Sequence, residues 1–206
     1  MGREGILVVV SGFSGAGKGT LMKALVKQYD EYALSISATT RKPREGETHG
    51  KEYFFLSREE FQTMIQENAL IEYAQYVENY YGTPKAYVQQ QMAAGRDVIL
   101  EIEIQGAMKV KEQYPEALLL FVTPPSAAEL KRRLISRGTE SPEVIEARLK
   151  RAAEEAEYMG DYDYLVINDD LDTCVKEMHA LIQAQHSRTS RQGKFIQQIK
   201  KELNEL

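Results

Sequence analysis

Apolar residues along the chain follow two alternating patterns. Short continuous apolar runs are typical of strands that are buried on both faces of a parallel sheet. They occur at Ile6–Val10, Leu34–Ser37, Val98–Ile102, Leu118–Val122 and Leu165–Ile167. The stretches between these runs carry apolar residues at the spacing of one helix face. Strands that alternate with helices predict an α/β fold, with a parallel central sheet and helices on both of its faces.

Polar caps indicate where helices begin in the second half of the chain. Ser126 with Glu129 has the spacing of a capping box, and Ser141 followed by a proline is typical of a helix start. Gly138 between them is a natural helix stop. These signals and the apolar spacing predict helices over Glu129–Arg137, Pro142–Tyr158 and Val175–Ala184.

The segment over residues 41–95 breaks this rhythm. It contains an aromatic run at Tyr53–Phe55, a capping-box pattern at Ser57 with Glu60, and an alternating, strand-like run over Leu70–Val77. We therefore predict a small subdomain of strands and helix inserted into the main fold.

Composition is that of a soluble globular enzyme. The 206 residues are 43% hydrophobic and 28% charged, which allows a sizeable core in one domain. The net charge of −5 argues against a nucleic-acid partner, and no apolar run is long enough to span a membrane. We expect a cytoplasmic protein, because no apolar signal segment precedes the first strand and the single cysteine, Cys174, suits a reducing compartment.

The candidate chemistry centres on the sequence GFSGAGKGT at Gly12–Thr20, directly after the first predicted strand. Glycines let the chain turn tightly, and a helix pattern follows, so several N–H groups would point at one place. Lys18 adds a positive charge, and the natural ligand is the phosphate chain of a nucleotide. The alternative is a flexible turn with a surface lysine. Gly19 precedes the hydroxyl of Thr20, an order similar to that in nucleoside monophosphate kinases.

Two groups of arginines are further candidates. Arg41 and Arg44 follow a predicted strand end and suit a forked grip on a phosphate, although they could form a solvated basic loop. Arg133 and Arg137 share one helix face, and Arg148 lies on the next helix. Arginines that converge in this way would stabilise a phosphoryl group in transfer, whereas the alternative is a charged helix surface.

Two carboxylates stand at the end of the third predicted strand. Strand alternation would place Glu101 and Glu103 on one face, at the sheet edge where ligands bind in this architecture. They could hold a water of Mg²⁺ or orient an arginine; alternatively, they are solvated surface acids.

Taken together, these motifs resemble the guanylate kinase family over residues 5–185. The family's acceptor signature, T-T-R-x-P-R-x-G-E-x-x-G-x-x-Y-x-F, is matched by Thr39–Gly50 and Tyr53–Phe55. The resemblance implies one domain with a P-loop three-layer sandwich, whose parallel core spans residues 5–40 and 96–185. It further implies a GMP-binding insertion over residues 41–95 and a helical lid near residues 126–160. Residues 186–206 would be a C-terminal extension outside the family core, with a weak helix after Phe195.

The resemblance also implies an activity, namely ATP-dependent phosphorylation of GMP, and of dGMP, by direct in-line transfer with Mg²⁺. Mg²⁺ would be held mainly through nucleotide phosphates and water, with Thr20 as a candidate ligand. The implied ATP-binding residues are Gly12, Ser14, Gly15, Ala16, Gly17, Lys18, Gly19, Thr20, Arg137 and Asn168. The implied GMP-binding residues are Ser37, Arg41, Arg44, Tyr53, Glu72, Tyr81, Thr83, Glu101 and Glu103. The implied catalytic residues are Lys18, Arg41, Arg133, Arg137 and Arg148.

The resemblance assigns the reading of the guanine base to Glu72, with Ser37 and Thr83. A carboxylate can accept both donors on the guanine edge, whereas adenine presents an acceptor at N1. The family usually has Asp at the second acidic position, where this chain has Glu103. Three alternatives remain: a non-catalytic module that binds phosphoproteins, a kinase for another monophosphate, and a GTPase. The intact Lys18 and arginines argue against a non-catalytic module, and the residues assigned to the guanine base argue against a kinase for another monophosphate. The lack of an Asn-Lys-x-Asp sequence argues against a GTPase.

Overall fold

The computed structural model describes residues 4–136, 138 and 141–206. Its strands are β1 (Leu7–Gly12), β2 (Tyr32–Leu34), β3 (Ala38–Thr39), β4 (Phe54–Phe55), β5 (Leu70–Tyr76), β6 (Asn79–Pro84), β7 (Asp97–Glu101), β8 (Leu118–Thr123) and β9 (Tyr164–Ile167). Its α-helices are α1 (Lys18–Gln28), α2 (Arg58–Gln66), α3 (Lys85–Ala93), α4 (Ile104–Gln113), α5 (Ala127–Ser136), α6 (Pro142–Ala156), α7 (Leu171–His186) and α8 (Gly193–Asn204).

The main core is a parallel sheet in the order β2-β7-β1-β8-β9. β1 lies at its centre, and Val9 pairs with Leu100 of β7 on one side and with Leu119 of β8 on the other. All three side chains are fully buried, which explains why these strands are continuous apolar runs. The predicted α/β fold with a parallel central sheet is confirmed.

A second sheet, in the order β4-β3-β6-β5, is built from the middle of the chain. Its antiparallel pairs are β3 with β6 and β5 with β6. Phe61 of α2 is fully buried and packs with Ala38 and Leu70 in a small core beneath this sheet. The capping box of α2 forms as predicted, because the amide of Glu60 donates to Ser57 Oγ at 3.0 Å and its carboxylate accepts from the Ser57 amide at 2.6 Å.

Several boundaries differ from the predictions. The second strand was expected over Leu34–Ser37, but β2 ends at Leu34. The amide of Ser35 still donates to the central sheet, and the chain then crosses to the second sheet at Ala38. β7 ends at Glu101 rather than at Ile102. The helix expected over Glu129–Arg137 begins earlier, at Ala127, because Ser126 acts as its cap; Arg137 lies outside the described residues.

The C-terminal segment is joined to the core through His186, the last residue of α7. Its Nε2 lies 2.9 Å from Oδ1 of Asp97, a fully buried carboxylate that also accepts from the amide of Ile6 at 2.8 Å. α8 follows over Gly193–Asn204, starting slightly before the expected position, and buries none of its residues. None of the helices in the described parts of the chain is long and apolar enough to cross a membrane.

We expect Asp97→Ala to destabilise the protein by about 3 kcal/mol, because it leaves the buried Ile6 amide without its acceptor and removes one hydrogen-bond partner of His186. Urea unfolding measures this change. Deleting residues 193–206 is the matched control, and we expect a change within about 0.5 kcal/mol because no residue of α8 is fully buried. Similar losses in both variants would contradict the assignment of the C-terminal anchor to Asp97.

Candidate nucleotide-binding site

The predicted phosphate loop joins the carboxyl end of β1 to the start of α1. Gly15 and Gly17 have φ angles of 95° and 89°, in the left-handed region that glycine adopts without strain. Gly17 is the N-cap of α1, so the free N–H groups of the first helical turn point out of the loop. The ammonium of Lys18 folds back over the loop and donates to the carbonyls of Gly12 and Phe13, at 2.7 and 3.1 Å. The loop therefore presents N–H donors and a cation at the end of the sheet, as an anion site requires.

Asn168, directly after β9, supports the loop from below. Its side-chain amide is buried and donates to the carbonyl oxygen of Ala16 at 2.8 Å. The backbone carbonyl of Asn168 accepts from Nη2 of Arg133 at 2.8 Å, and Nη1 of Arg133 lies 3.4 Å from the carbonyl oxygen of Ala16. Glu129 holds Arg133 through a contact of 2.6 Å to Nε. The structure thus places Asn168 and Arg133 at the phosphate loop, as bracing contacts.

A second arginine reaches the loop from α6. The guanidinium of Arg148 donates to Oγ of Ser14, in the middle of the glycine turn. Arg133 and Arg148, predicted to converge from two helices, therefore meet at the same loop. Arg137, the third predicted member of this cluster, lies outside the described residues.

Two of the residues predicted to contact the base, Glu72 and Thr83, lie together on the second sheet. Oγ1 of Thr83 is buried and donates to Oε1 of Glu72 at 2.8 Å. A Cβ added to Gly106 of α4 would lie 3.5 Å from Oε2 of Glu72, so this carboxylate faces the helix that follows β7. Burial raises the pKa of Glu72, and this rise is opposed by the hydrogen bond from Thr83 and by the charge of Lys109. A half-buried carboxylate with one oxygen already oriented is suited to accept from paired donors.

The expected phosphate-binding residues of the acceptor also come together. The guanidinium carbon of Arg41 lies 5.3 Å from the ring centroid of Tyr53, whose ring is 6.3 Å from that of Tyr81. Arg44 lies on the same loop and is exposed. Ser37, predicted to contact the base, is half-buried just before β3, and its carbonyl accepts from the amide of Phe54 at 2.8 Å.

Glu101 and Glu103 are not on one strand face, which corrects the argument from alternation. Only Glu101 belongs to β7, whereas Glu103 is the N-cap of α4. Although solvent reaches part of Glu101, the surrounding protein raises its pKa, while Lys18 and Lys23 oppose this rise. Glu103 is likewise exposed, with 78% of its side chain accessible, and accepts from Nη2 of Arg151 at 2.9 Å. The two carboxylates therefore have different surroundings, one beside the phosphate-loop lysine and one paired across to α6.

Sequence reasoning assigned no role to three residues that hold site side chains in place. Glu47 accepts from Arg41, Glu129 accepts from Arg133, and Arg151 pairs with Glu103. Glu47 was visible as a fixed position of the acceptor signature, and Glu129 as part of a capping box. Neither signal pointed to its arginine partner, because those contacts depend on how loops and helices fold together.

Among the described residues, no group of three or more His, Cys, Asp or Glu side chains is arranged to hold a metal ion. Thr20, the candidate Mg²⁺ ligand, lies in the first turn of α1 and is exposed, next to the loop that would bind phosphates.

A glycine turn between a buried parallel strand and a helix, with a lysine folded over it and arginines around it, defines a phosphate-loop nucleotide-binding protein. The family model described as guanylate kinase matches residues 4–185. The chain is 50% identical over 200 residues to a guanylate kinase of Caldanaerobacter subterraneus subsp. tengcongensis, with 97% of each chain covered. It is also 50% identical over 192 residues to that of Bacillus subtilis, covering 93% of this chain and 94% of the relative.

A solved structure agrees with these relatives. The crystal structure of guanylate kinase from Anaplasma phagocytophilum is similar with a TM-score of 0.70 and 31% identity, over 92% of this chain and 90% of that chain. The chain belongs to the guanylate kinase family, and the resemblance described from the sequence is confirmed.

We expect Gly17→Ala to lower the stability of the nucleotide-free protein by about 2 kcal/mol. The added Cβ would lie 2.6 Å from Nδ2 of Asn168, at a φ of 89° that alanine tolerates poorly. Gly19→Ala is the control, because its Cβ would have no atom within 4 Å and its helical backbone favours alanine. Urea unfolding should separate the two variants; a loss of equal size at both positions would contradict the bracing role of Asn168.

Proposed function

We propose that this protein transfers the γ-phosphoryl group of ATP to the phosphate of GMP, producing ADP and GDP. The observation that carries this proposal is the pairing of two half-sites at one sheet edge. One is the phosphate loop with Lys18, and the other is the Glu72–Thr83 pair, which faces the helix that follows β7. The residues assigned to the acceptor would contact its base and its phosphate rather than its sugar. We therefore include dGMP as an acceptor.

In this proposal the donor phosphates lie against the loop over Gly12–Thr20. The N–H groups at the start of α1 and the ammonium of Lys18 would bind their oxygens, and Asn168 would line the adenine side. Arg133, Arg137 and Arg148 would neutralise the charge that develops on the phosphoryl group in transfer. The support for this is that Arg133 and Arg148 both contact the loop in the described structure.

The acceptor would lie against the second sheet. Glu72 would accept the N1 and 2-amino donors of guanine, with Ser37 and Thr83 as hydroxyl partners, and Glu101 and Glu103 would border the base. Arg41, Arg44, Tyr53 and Tyr81 would hold the GMP phosphate. No general base is required, because a phosphate oxygen of GMP is already an anionic nucleophile, so the site needs only to position and neutralise.

The proposal includes Mg²⁺, held by nucleotide phosphates and water, with the exposed hydroxyl of Thr20 as its protein ligand. When bound, this ion would neutralise charge on the donor phosphates.

The division into a core (5–40 and 96–185), an acceptor insertion (41–95) and a lid (126–160) belongs to the same proposal. Closure of insertion and lid over both nucleotides would exclude water and prevent hydrolysis of ATP. A cytoplasmic location, also proposed, is supported by the buried free thiol of Cys174.

We expect Lys18→Ala to lower kcat by about 10²–10³-fold, because the loop keeps its N–H groups but loses the positive charge that would stabilise the phosphoryl group in transfer. Initial rates at saturating ATP and GMP measure the effect. Lys27→Ala, in the exposed last turn of the same helix, is the matched control and should keep wild-type turnover. Near wild-type rates in Lys18→Ala would refute the assignment of the phosphate loop.

We expect Glu72→Gln to reduce the preference for GMP over AMP. A site built to accept two donors rejects an analogue that lacks them by about 10⁴-fold, because its buried polar atoms then stay unpaired. The variant should lose much of its kcat/KM for GMP, so the ratio to AMP falls by at least about 10-fold. Glu78→Gln, on the exposed turn of the same hairpin, is the control. An unchanged ratio in Glu72→Gln would show that the base is read elsewhere.

A further inference from the structure

The carboxylate of Glu47, on the loop between β3 and β4, accepts three hydrogen bonds, all of them from the two arginines assigned to the acceptor phosphate. Its Oε2 and Oε1 accept from Nη1 and Nη2 of Arg41, each at 2.9 Å. Oε2 also accepts from the backbone amide of Arg44 at 2.7 Å. The side chains of Arg41 and Glu47 are only 16% and 18% exposed, so this is a closely packed, bidentate pair.

These contacts determine which edge of the Arg41 guanidinium can meet a ligand. A guanidinium has five N–H donors in a fixed plane. Glu47 takes one from each Nη atom, and the carbonyl of Lys42 accepts from Nη1 at 2.8 Å. The remaining N–H groups of Nε and Nη2 lie parallel, at a spacing that fits two phosphate oxygens. The side chain of Tyr81, also assigned to the acceptor phosphate, interacts with the same guanidinium. Two neighbouring rings pack against the guanidinium and limit its rotation, since the centroids of Tyr53 and Phe55 lie 5.3 and 5.7 Å from its central carbon and 5.8 Å from each other.

The same carboxylate connects the two arginines. Without a negative charge between them, Arg41 and Arg44 would repel each other, and each long side chain would lose more conformational freedom on meeting a phosphate. The hydrogen bonds from Arg41 lower the pKa of Glu47, so its carboxylate is ionised throughout the neutral range. The pair is lost only as the pH falls through that lowered value, below the ordinary 4.5.

We propose that Glu47 is a positioning residue for the acceptor phosphate: it fixes the guanidinium of Arg41 edge-on and ties it to the backbone of Arg44 before GMP binds. This inference rests on the proposed function, in which these arginines hold the phosphate of GMP. Glu47 does not touch the substrate, and its effect is confined to the phosphate end of the acceptor.

The test compares GMP with guanosine, which carries the same base and no phosphate, in wild-type protein, Glu47→Gln and Glu47→Asp. Calorimetry gives the affinity for GMP, and competition gives that for guanosine. Glu47→Gln should weaken GMP binding roughly 10-fold, because a neutral amide cannot accept from both Nη atoms. Guanosine binding and the KM for ATP should stay within about 2-fold, with kcat at saturating GMP within about 3-fold. Glu47→Asp keeps the charge and should fall between wild type and Glu47→Gln.

Glu45→Gln is the matched control, since it makes the same chemical change two residues away at an exposed position and should leave all these values unchanged. Unchanged or tighter GMP binding in Glu47→Gln would overturn the inference. So would a parallel loss for GMP and guanosine in both Glu47 variants, because it would mean that Glu47 supports the whole acceptor sheet. A wild-type protein that binds neither GMP nor guanosine would instead overturn the proposed function itself.

Discussion

The hydrogen bond from Asn168 to the carbonyl of Ala16 is the contact on which the arrangement of the nucleotide site depends. A phosphate loop must keep left-handed turns between a strand and a helix while its N–H groups point toward a ligand. The carbonyls of such a loop therefore point inward and need donors of their own. Asn168 donates one hydrogen bond, to Ala16 at 2.8 Å, and Lys18 donates two more, to the carbonyls of Gly12 and Phe13. The strand order makes this possible, because β9 lies next to β8 and β8 lies next to β1.

The arginines around the loop follow from the same constraint. Arg133 is held by Glu129 on its own helix and meets the carbonyls of Ala16 and Asn168. Arg133 therefore donates to a carbonyl of the loop that points inward, and it also adds positive charge beside the loop. Arg148 reaches Ser14 from α6. Positive charge and loop geometry are thus maintained by the same contacts, so a substitution at either arginine should change both.

The segment that leaves β7 connects the proposed acceptor half-site to the proposed donor half-site. Glu101 ends this strand near Lys18, and α4 then runs past Glu72 at Gly106. Both nucleotides would consequently meet at the carboxyl edge of the central sheet, where α/β folds commonly bind ligands. This explains how an insertion folded around its own small core can take part in a reaction at the phosphate loop.

The sequence was informative where one local pattern determines the structure. β1, β7 and β8 are buried on both faces and appear as apolar runs, while the glycine loop and the Ser57–Glu60 cap carry their own signals. Prediction was wrong where tertiary contacts decide. The chain leaves the central sheet after Leu34 to pair in the second sheet, and Glu103 stands at the N-cap position of a helix instead of extending a strand. The partners of Glu47 and Glu129 were missed for the same reason. An arginine–carboxylate contact across a loop has no sequence period.

ADP formation from ATP in a coupled assay, with GMP, AMP, UMP and CMP supplied one at a time, tests the proposed function most directly. We expect rapid ADP formation with GMP and values of kcat/KM with the other three that are lower by about 10⁴-fold, since only guanine presents two adjacent donors to Glu72. Equal rates with GMP and AMP, or ADP formation that does not depend on any monophosphate, would contradict the proposed phosphoryl transfer to GMP.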